Sequence, residues 1–433
     1  MPTTSPPTPP PALKTRLASG LRGAALDTRP LELPVFRRLL VGQSASYIGA
    51  MVTSVTIPVQ VYALSRSSLA VGLTGVAGLV PLVVFGLYGG AVADRFDRRT
   101  LYLASACATW VITLALLLQA VAGVRSVPLI LGLVAVQAGA FAVSSSARDA
   151  IIPRIVATPL VPAANTLNFT AGNVGQVAGP LIAGVLISLP NGYCWAYGAD
   201  AVLFSLLLYS ALRLPPVVPT GSGTGTLGLR SVLDGLRFIA AAPVLWMSFA
   251  VDIAAMTLAM PTALFPAAAQ TRFGGGVGLL YSAIAIGSVA AGLFSGWIGR
   301  VRRQGRALAV AVIAWAAAVA LAGTVHHLFA AAALLATAGA ADLVSAVYRQ
   351  TILQTYAPDA LRGRLQGVFT VVVAGGPRLG DLRAGAMAST TGFGLAWTGS
   401  SLLCVVVVLA GALLVRPFWR YDVPPTPPPP SQP

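Results

Sequence analysis

The stretch GLYGGAVADRFDRRT, residues 86–100, contains an abrupt change of solvent preference. Residues 67–93 carry no charge, and then five of the six residues from Asp94 to Arg99 are ionised: Asp94, Arg95, Asp97, Arg98 and Arg99. A chain makes such a step where it leaves hydrocarbon for the charged side of a membrane. A weaker echo, Gly296-Trp-Ile-Gly-Arg300-Val-Arg-Arg, recurs in the second half with the basic residues kept and the acidic ones lost.

The whole composition agrees with that reading. Of 433 residues, 56% are hydrophobic and 9% charged, with a mean hydropathy of +0.80, whereas a water-soluble chain carries about 25% charged residues. About 20 apolar residues are needed for a helix to cross a bilayer. Twelve such windows are predicted, at 38–64, 69–93, 101–122, 127–147, 163–189, 194–213, 242–268, 277–299, 307–325, 328–348, 365–389 and 394–415. The expected fold is therefore all-α and integral to the membrane.

A net charge of +16 and a pI near 10.8 could mark a nucleic-acid binder in a soluble protein. Here the position of the charge excludes that partner. With both termini inside, the inner loops hold the arginines at 95–99, 148–154, 213–237, 300–306 and 349–364, while the outer loops hold only Arg66, Arg125 and Arg272. The positive-inside rule thus predicts an even number of spans, cytoplasmic termini and residence in the cytoplasmic (inner) membrane.

The windows group into halves. Val71-Gly-Leu and Gly86-Leu-Tyr-x-Gly90 recur as Val277-Gly-Leu and Gly292-Leu-Phe-x-Gly296, an offset of 206 residues. Arg148, Ile151, Leu160 and Asn165 correspond to Arg349, Ile352, Leu361 and Gln366 at an offset of 201. Parallel six-helix repeats of this kind build one class of secondary transporter. The predicted organisation is a Pro-rich disordered cytoplasmic tail (1–35), a six-helix bundle (36–214), a cytoplasmic linker with a short amphipathic helix (215–240), a second six-helix bundle (241–416) and a second Pro-rich tail (417–433). No cleavable signal peptide is expected, and Cys107, Cys194 and Cys404 lack metal-ligand spacing.

On these residues the chain resembles the major facilitator superfamily. Gly90-x-x-x-Asp94-Arg95-x-Asp97-Arg98-Arg99 is similar to the superfamily's signature between helices 2 and 3, with Asp97 in place of a Gly. Gly175-x-x-x-Gly179-Pro180-x-x-Ala183-Gly184 resembles the motif typical of its antiporters. The segments 57–73, 89–99, 235–243 and 353–369, with Trp195-Ala-Tyr197-Gly198 and Gly380-Asp381, resemble the enterobactin-exporter group of efflux proteins over about residues 36–415. The resemblance implies two pseudo-symmetric bundles and efflux of a small, siderophore-like molecule in exchange for protons. Multidrug or antibiotic efflux of lipophilic compounds is the alternative.

Each motif has a physical reading. Asp94, with Gly90, Arg95, Arg98 and Arg99, would form a gating latch by accepting from the N-terminus of the eleventh span, taken to begin near Leu365, and by pairing with an Arg. Gly175, Gly179, Pro180 and Gly184 clear one face of the fifth span for close packing or a hinge.

Charges inside hydrocarbon are costly and so mark pathways. Asp252 lies eleven residues into the seventh span, roughly 16 Å deep at 1.5 Å per residue, with no basic neighbour on its own helix. It is the leading candidate for a proton carrier. Asp381, with Arg378 at i−3 and Arg383 nearby, suits an ion pair or an anionic-ligand cradle. Asp342 is read as neutralising Arg349 and as a further pathway candidate, and Asp200 as a structural residue near the outer end of the sixth span. Gln60, Asn168, Asn173 and Gln176 complete the predicted proton or substrate pathway.

The expected partners are a small-molecule substrate, protons and the lipid bilayer, with the chain acting as a monomer. No catalytic constellation, cofactor or metal site is expected, so an intramembrane enzyme is disfavoured. No G-x-x-x-x-G-K-S/T loop supports ATP-driven export. A non-transporting receptor on the same fold would need large folded insertions, and none is seen in the sequence.

Overall fold

Among the described residues, ten helices are long and apolar enough to cross a membrane, and two more complete twelve passes. Val277–Leu293 is shorter but is prolonged by a 3-10 turn, Ser295–Arg300. Asp359–Thr390 has the length but carries Arg378, Asp381 and Arg383 in its second half. The computed structural model describes residues 27–93, 97–214, 236–356 and 359–422, with no strand among them. The first half comprises α1 (Pro34–Ser65), α2 (Ser68–Ala93), α3 (Arg98–Val121), α4 (Val127–Ile155), α5 (Val161–Ile187) and α6 (Gly192–Leu212). The second comprises α7 (Pro243–Leu258) and α8 (Phe265–Thr271), which share the seventh pass, then α9 (Val277–Leu293), α10 (Gln304–Ala322), α11 (Leu328–Tyr356), α12 (Asp359–Thr390) and α13 (Ser400–Leu414).

Local chemistry sets several helix ends. Pro34 and Pro162 sit in first turns, where the missing N–H costs nothing. Asp97 caps α3 by accepting from the Thr100 amide at 3.0 Å and its hydroxyl at 2.9 Å. That cap gives Asp97, the residue that departs from the superfamily signature, a local role. The outer surface is apolar: Leu293, Phe294, Phe329 and Leu414 are almost fully exposed, as lipid rather than water requires.

The halves meet through two pairs of helices, α2 against α12 and α5 against α9. The sequence repeat makes α2 equivalent to α9 and α5 equivalent to α12. Both contacts are therefore one interface seen twice about a pseudo-twofold axis.

Several boundaries differ from the sequence expectation, three of them near the site or its mouth. The seventh span is not one helix over 242–268: α7 stops at Leu258, a 3-10 turn occupies Thr262–Leu264, and α8 follows. Pro261 and Pro266 remove two amide donors from the run, and Pro266 lies in the first turn of the new helix. α12 begins at Asp359 rather than near Leu365, and α4 runs on to Ile155. Hydropathy registers where hydrocarbon starts, whereas backbone hydrogen bonding carries these helices beyond it.

Candidate functional site

A cavity of about 1230 Å³ lies between the halves. Its first-half wall comes mainly from α1, α4 and α5 and presents Gln43, Thr53, Asn165, Asn168, Asn173 and Gln176, with Asp200 of α6 behind Thr53. Its second-half wall presents Thr262, Tyr281, Arg378 and Asp381. Met51, Phe141, Phe169 and Met260 supply apolar surface between these groups. Adaptable thioethers and aromatic faces beside a few polar anchors are usual for a small-molecule site.

The cavity runs toward the arginine-rich ends of the helices and is closed at the other end. Gln43, Tyr102, Arg148 and Asn165 line it near the arginine-rich ends of their helices. At the opposite end the halves touch. A Cβ on Gly184 of α5 would lie 3.0 Å from Gly278 Cα of α9, and one on Gly72 of α2 would lie 2.5 Å from the Asp381 carbonyl oxygen of α12. Only glycine allows backbones this close. Arg66 reinforces the seam by donating to Gln270 Oε1 at 2.8 Å.

The break in the seventh span lies in the cavity wall, through Met260, Thr262 and Ala263. Asp381 accepts from the Thr262 hydroxyl and from the Ala263 amide, the latter at 2.9 Å. Arg383 donates to the Thr257 carbonyl at 2.7 Å and to the Ala396 carbonyl at 3.2 Å. Backbone freed by the break is thus satisfied from α12, as apolar surroundings demand. Arg378 lies near Asp381, as its i−3 position implies, and also reaches across the seam to the Gly78 carbonyl of α2 at 3.4 Å.

Other residues singled out in the sequence fall elsewhere. Asp252 was chosen for having no basic neighbour, but Arg349 pairs with it from α11, and both are buried. It does not line the cavity. Arg349 is therefore neutralised by Asp252 rather than by Asp342 on its own helix, which also lies off the cavity. Gln60 is likewise a core residue, in reciprocal hydrogen bonds with Gln119 at 3.3 and 3.1 Å and accepting from Tyr197 Oη at 2.7 Å. Asn168, Asn173 and Gln176 do line the cavity, and Gln176 donates to Tyr47 Oη at 3.1 Å.

Asp200, read as lying toward the outer end of the sixth span, is there but fully enclosed. It is 1% exposed, and its Oδ2 accepts from the Thr53 hydroxyl at 2.6 Å. Gly49 and Thr53, four residues apart on one face of α1, leave room for and contact the carboxyl. That small, polar pair was the available signal.

In the antiporter-like motif, Gly175 and Gly179 seat Tyr47 and Met51 of α1, while Gly184 meets α9. In the latch motif, Asp94 and Arg95 lie outside the described residues, as do the side chain of Arg98 and the surroundings of Gly90. Arg99 ties α3 to α6 by donating to the Leu212 carbonyl at 2.9 Å.

Comparison with known proteins agrees with this architecture. Residues 26–430 match the family described as transmembrane secretion effector, MFS_3. The enterobactin exporter EntS of Shigella boydii serotype 18 (strain CDC 3083-94 / BS512) is 29% identical over 395 residues, 87% of this chain and 92% of the relative. Its counterpart in Escherichia coli O139:H28 (strain E24377A / ETEC) gives the same figures. Among solved structures, the nucleoside transporter NupG superposes with a TM-score of 0.71 at 14% identity, covering 90% of this chain and 100% of that one. A bacterial homologue of the human lysosomal transporter Spinster, inward-facing and unoccupied, gives 0.66 at 16% identity, covering 90% and 96%. At such identities the structures speak for the fold alone. Fold, cavity and family match together make this chain a multi-pass membrane transporter of the major facilitator type, a member of the transmembrane secretion effector family.

Proposed function

We propose that the protein exports a small molecule from the cytoplasm by alternating access, with proton entry as the driving force. The observation that carries this reading is the shape of the cavity, sealed by glycine contacts at one end and extending to the arginine-rich end of the bundle. The positive-inside rule assigns that end to the cytoplasm, with both termini there and the chain in the cytoplasmic membrane. A cavity facing the cytoplasm is the loading state of an exporter. Rocking of the two halves, 36–214 and 241–416, about the α2–α12 and α5–α9 contacts would open the opposite face. In that opposite state Asp94, with Gly90, Arg95, Arg98 and Arg99, would latch the cytoplasmic end.

The relatives are named as enterobactin exporters, so a siderophore-like compound is the first substrate class to test. Arg378 and the amides of Asn168, Asn173 and Gln176 offer hydrogen-bond donors to catechol or carboxylate oxygens from the cavity wall. The apolar patch of Met51, Phe141, Phe169 and Met260 favours a second reading, in which lipophilic drugs are exported.

Untargeted comparison of medium and cytoplasm, in cells with and without the protein, identifies the substrate. A compound exported only when the protein is present, and retained in the cytoplasm when an uncoupler collapses the proton gradient, is the expected result. Export unaffected by the uncoupler would refute proton coupling.

A further inference from the structure

We propose that Asp200 is the group that takes up and releases the coupled proton, with the Thr53 hydroxyl as its hydrogen-bond partner in both protonation states. This rests on the reading of the protein as a proton-coupled exporter and assigns the carrier within it.

Among the acids whose side chains are described, four lie within the helical passes, and their partners separate them. Asp252 is held by the Arg349 guanidinium. Asp381 accepts at Oδ1 from a hydroxyl and from the Ala263 amide, and two guanidiniums of its own helix, Arg378 and Arg383, stand close enough to supply its counter-charge. Asp342 does not line the cavity. Asp200 lines it, and the hydrogen bond described for its carboxyl comes from a hydroxyl, Thr53 Oγ1. The Thr53 hydroxyl donates to Oδ2 whether the carboxyl is ionised or carries a proton on Oδ1, so this bond persists in both states. The second carboxylate oxygen, Oδ1, has no hydrogen-bond partner among the described residues. It is the position open to the proton, with the Thr113 hydroxyl of α3 also close to the carboxyl.

No described charge faces the carboxyl from the helices packed against α6. α6 packs against α1, α3 and α5. From α1 the carboxyl is faced by Gly49 and Thr53, and from α3 by Thr113. α5 carries no titratable side chain. The basic residues of α1 (Arg37, Arg38) and α3 (Arg98, Arg99) belong to the far, arginine-rich ends, roughly 20 Å away along the helices at 1.5 Å per residue. On α6 itself Tyr197 is committed to Gln60. Across the cavity stand Tyr47, Arg148, Tyr281, Arg378 and Asp381. No described cation is paired with Asp200, so a proton is the counter-charge the site can take. In one transport cycle a proton would bind Oδ1 from the outer solution and leave to the cytoplasm through the cavity, returning the carboxylate unchanged.

Infrared difference spectroscopy on the full-length protein in liposomes, titrated by pH, reads this directly. Wild type should show a carboxylic-acid C=O band that disappears as pH rises. Asp200→Asn should lack it, and Asp381→Asn should keep it. Thr53→Val, which retains the carboxyl, should shift the band to higher frequency, and Thr53→Ser should not. Absence of a titrating band in wild type, its persistence in Asp200→Asn, or an unshifted band in Thr53→Val would overturn the proposal. The uncoupler experiment separates the two levels. Uncoupler-resistant export defeats proton coupling itself, whereas uncoupler-sensitive export by wild type with equally sensitive export by Asp200→Asn defeats only the assignment.

Discussion

Asp381 and Arg383, two residues apart on α12, secure the two sides of one break in the neighbouring span: the acid accepts from the Ala263 amide, and the base donates to the Thr257 carbonyl. Each sign meets the helix end that suits it, since freed amides carry partial positive charge and freed carbonyls partial negative charge. Hydrogen bonds to charged groups contribute about 1.5–3 kcal/mol each. Arg383→Ala should therefore lower thermal stability of the purified protein markedly. Arg383→Lys should fail to restore it, because an ammonium cannot reproduce the planar fork that reaches both Thr257 and Ala396. Equal stability of all three proteins would remove this role.

The Asp252–Arg349 pair is a second brace, joining α7 to α11. Removing one member of a buried pair strands the other charge, at a cost of about 3–5 kcal/mol. Arg349→Ala should abolish accumulation of folded protein, while Asp252→Asn combined with Arg349→Gln should recover much of it. A double variant no better than the single one would show that the charges do not compensate each other.

At the seam, a side chain on Gly278 would collide with the Pro180 carbonyl of α5. Overpacking of this kind costs about 1–3 kcal/mol, and it acts only in the state where the seam is closed. Gly278→Ala should shift the population away from that state by about five- to a hundredfold, at tenfold per 1.4 kcal/mol. Faster reaction of a Ser68→Cys reporter with an impermeant maleimide checks this, because Ser68 lies against Gly385 in the same closed end. An unchanged rate would mean that the seam does not open there.

Asp94→Asn should leave the protein inserted but slow export severely, since the charge-assisted bonds of the proposed latch, about 1.5–3 kcal/mol each, would match the gap between conformers. Normal export by the variant would reduce the stretch at 86–100 to a topology signal.

How much was legible follows from what each feature depends on. Spans, their pairing into repeats and the charged turn depend on residue type along one chain, and hydropathy shows them. The break at Met260–Leu264 was hidden because MTLAMPTALFP stays apolar throughout; only Pro261 and Pro266 hinted at it. The partners of Asp252 and Gln60 come from other helices, 97 and 59 residues away in sequence, so no window along α7 or α1 could reveal them. The enclosure of Asp200 was hidden for the same reason. Depth was counted from the chain, eight residues from Gly192, and said nothing of the Gly49 and Thr53 surface that encloses it.

Sided cysteine accessibility tests most directly whether the cavity loads from the cytoplasm. In a background lacking Cys107, Cys194 and Cys404, single cysteines at Asn165, inside the cavity near its arginine-rich end, and at Arg125, in the loop between α3 and α4, are exposed to an impermeant maleimide. Asn165→Cys should react in everted vesicles and stay protected in intact cells, with Arg125→Cys showing the reverse. Labelling of Asn165→Cys from the outside of intact cells, with Arg125→Cys protected there, would contradict export from the cytoplasm.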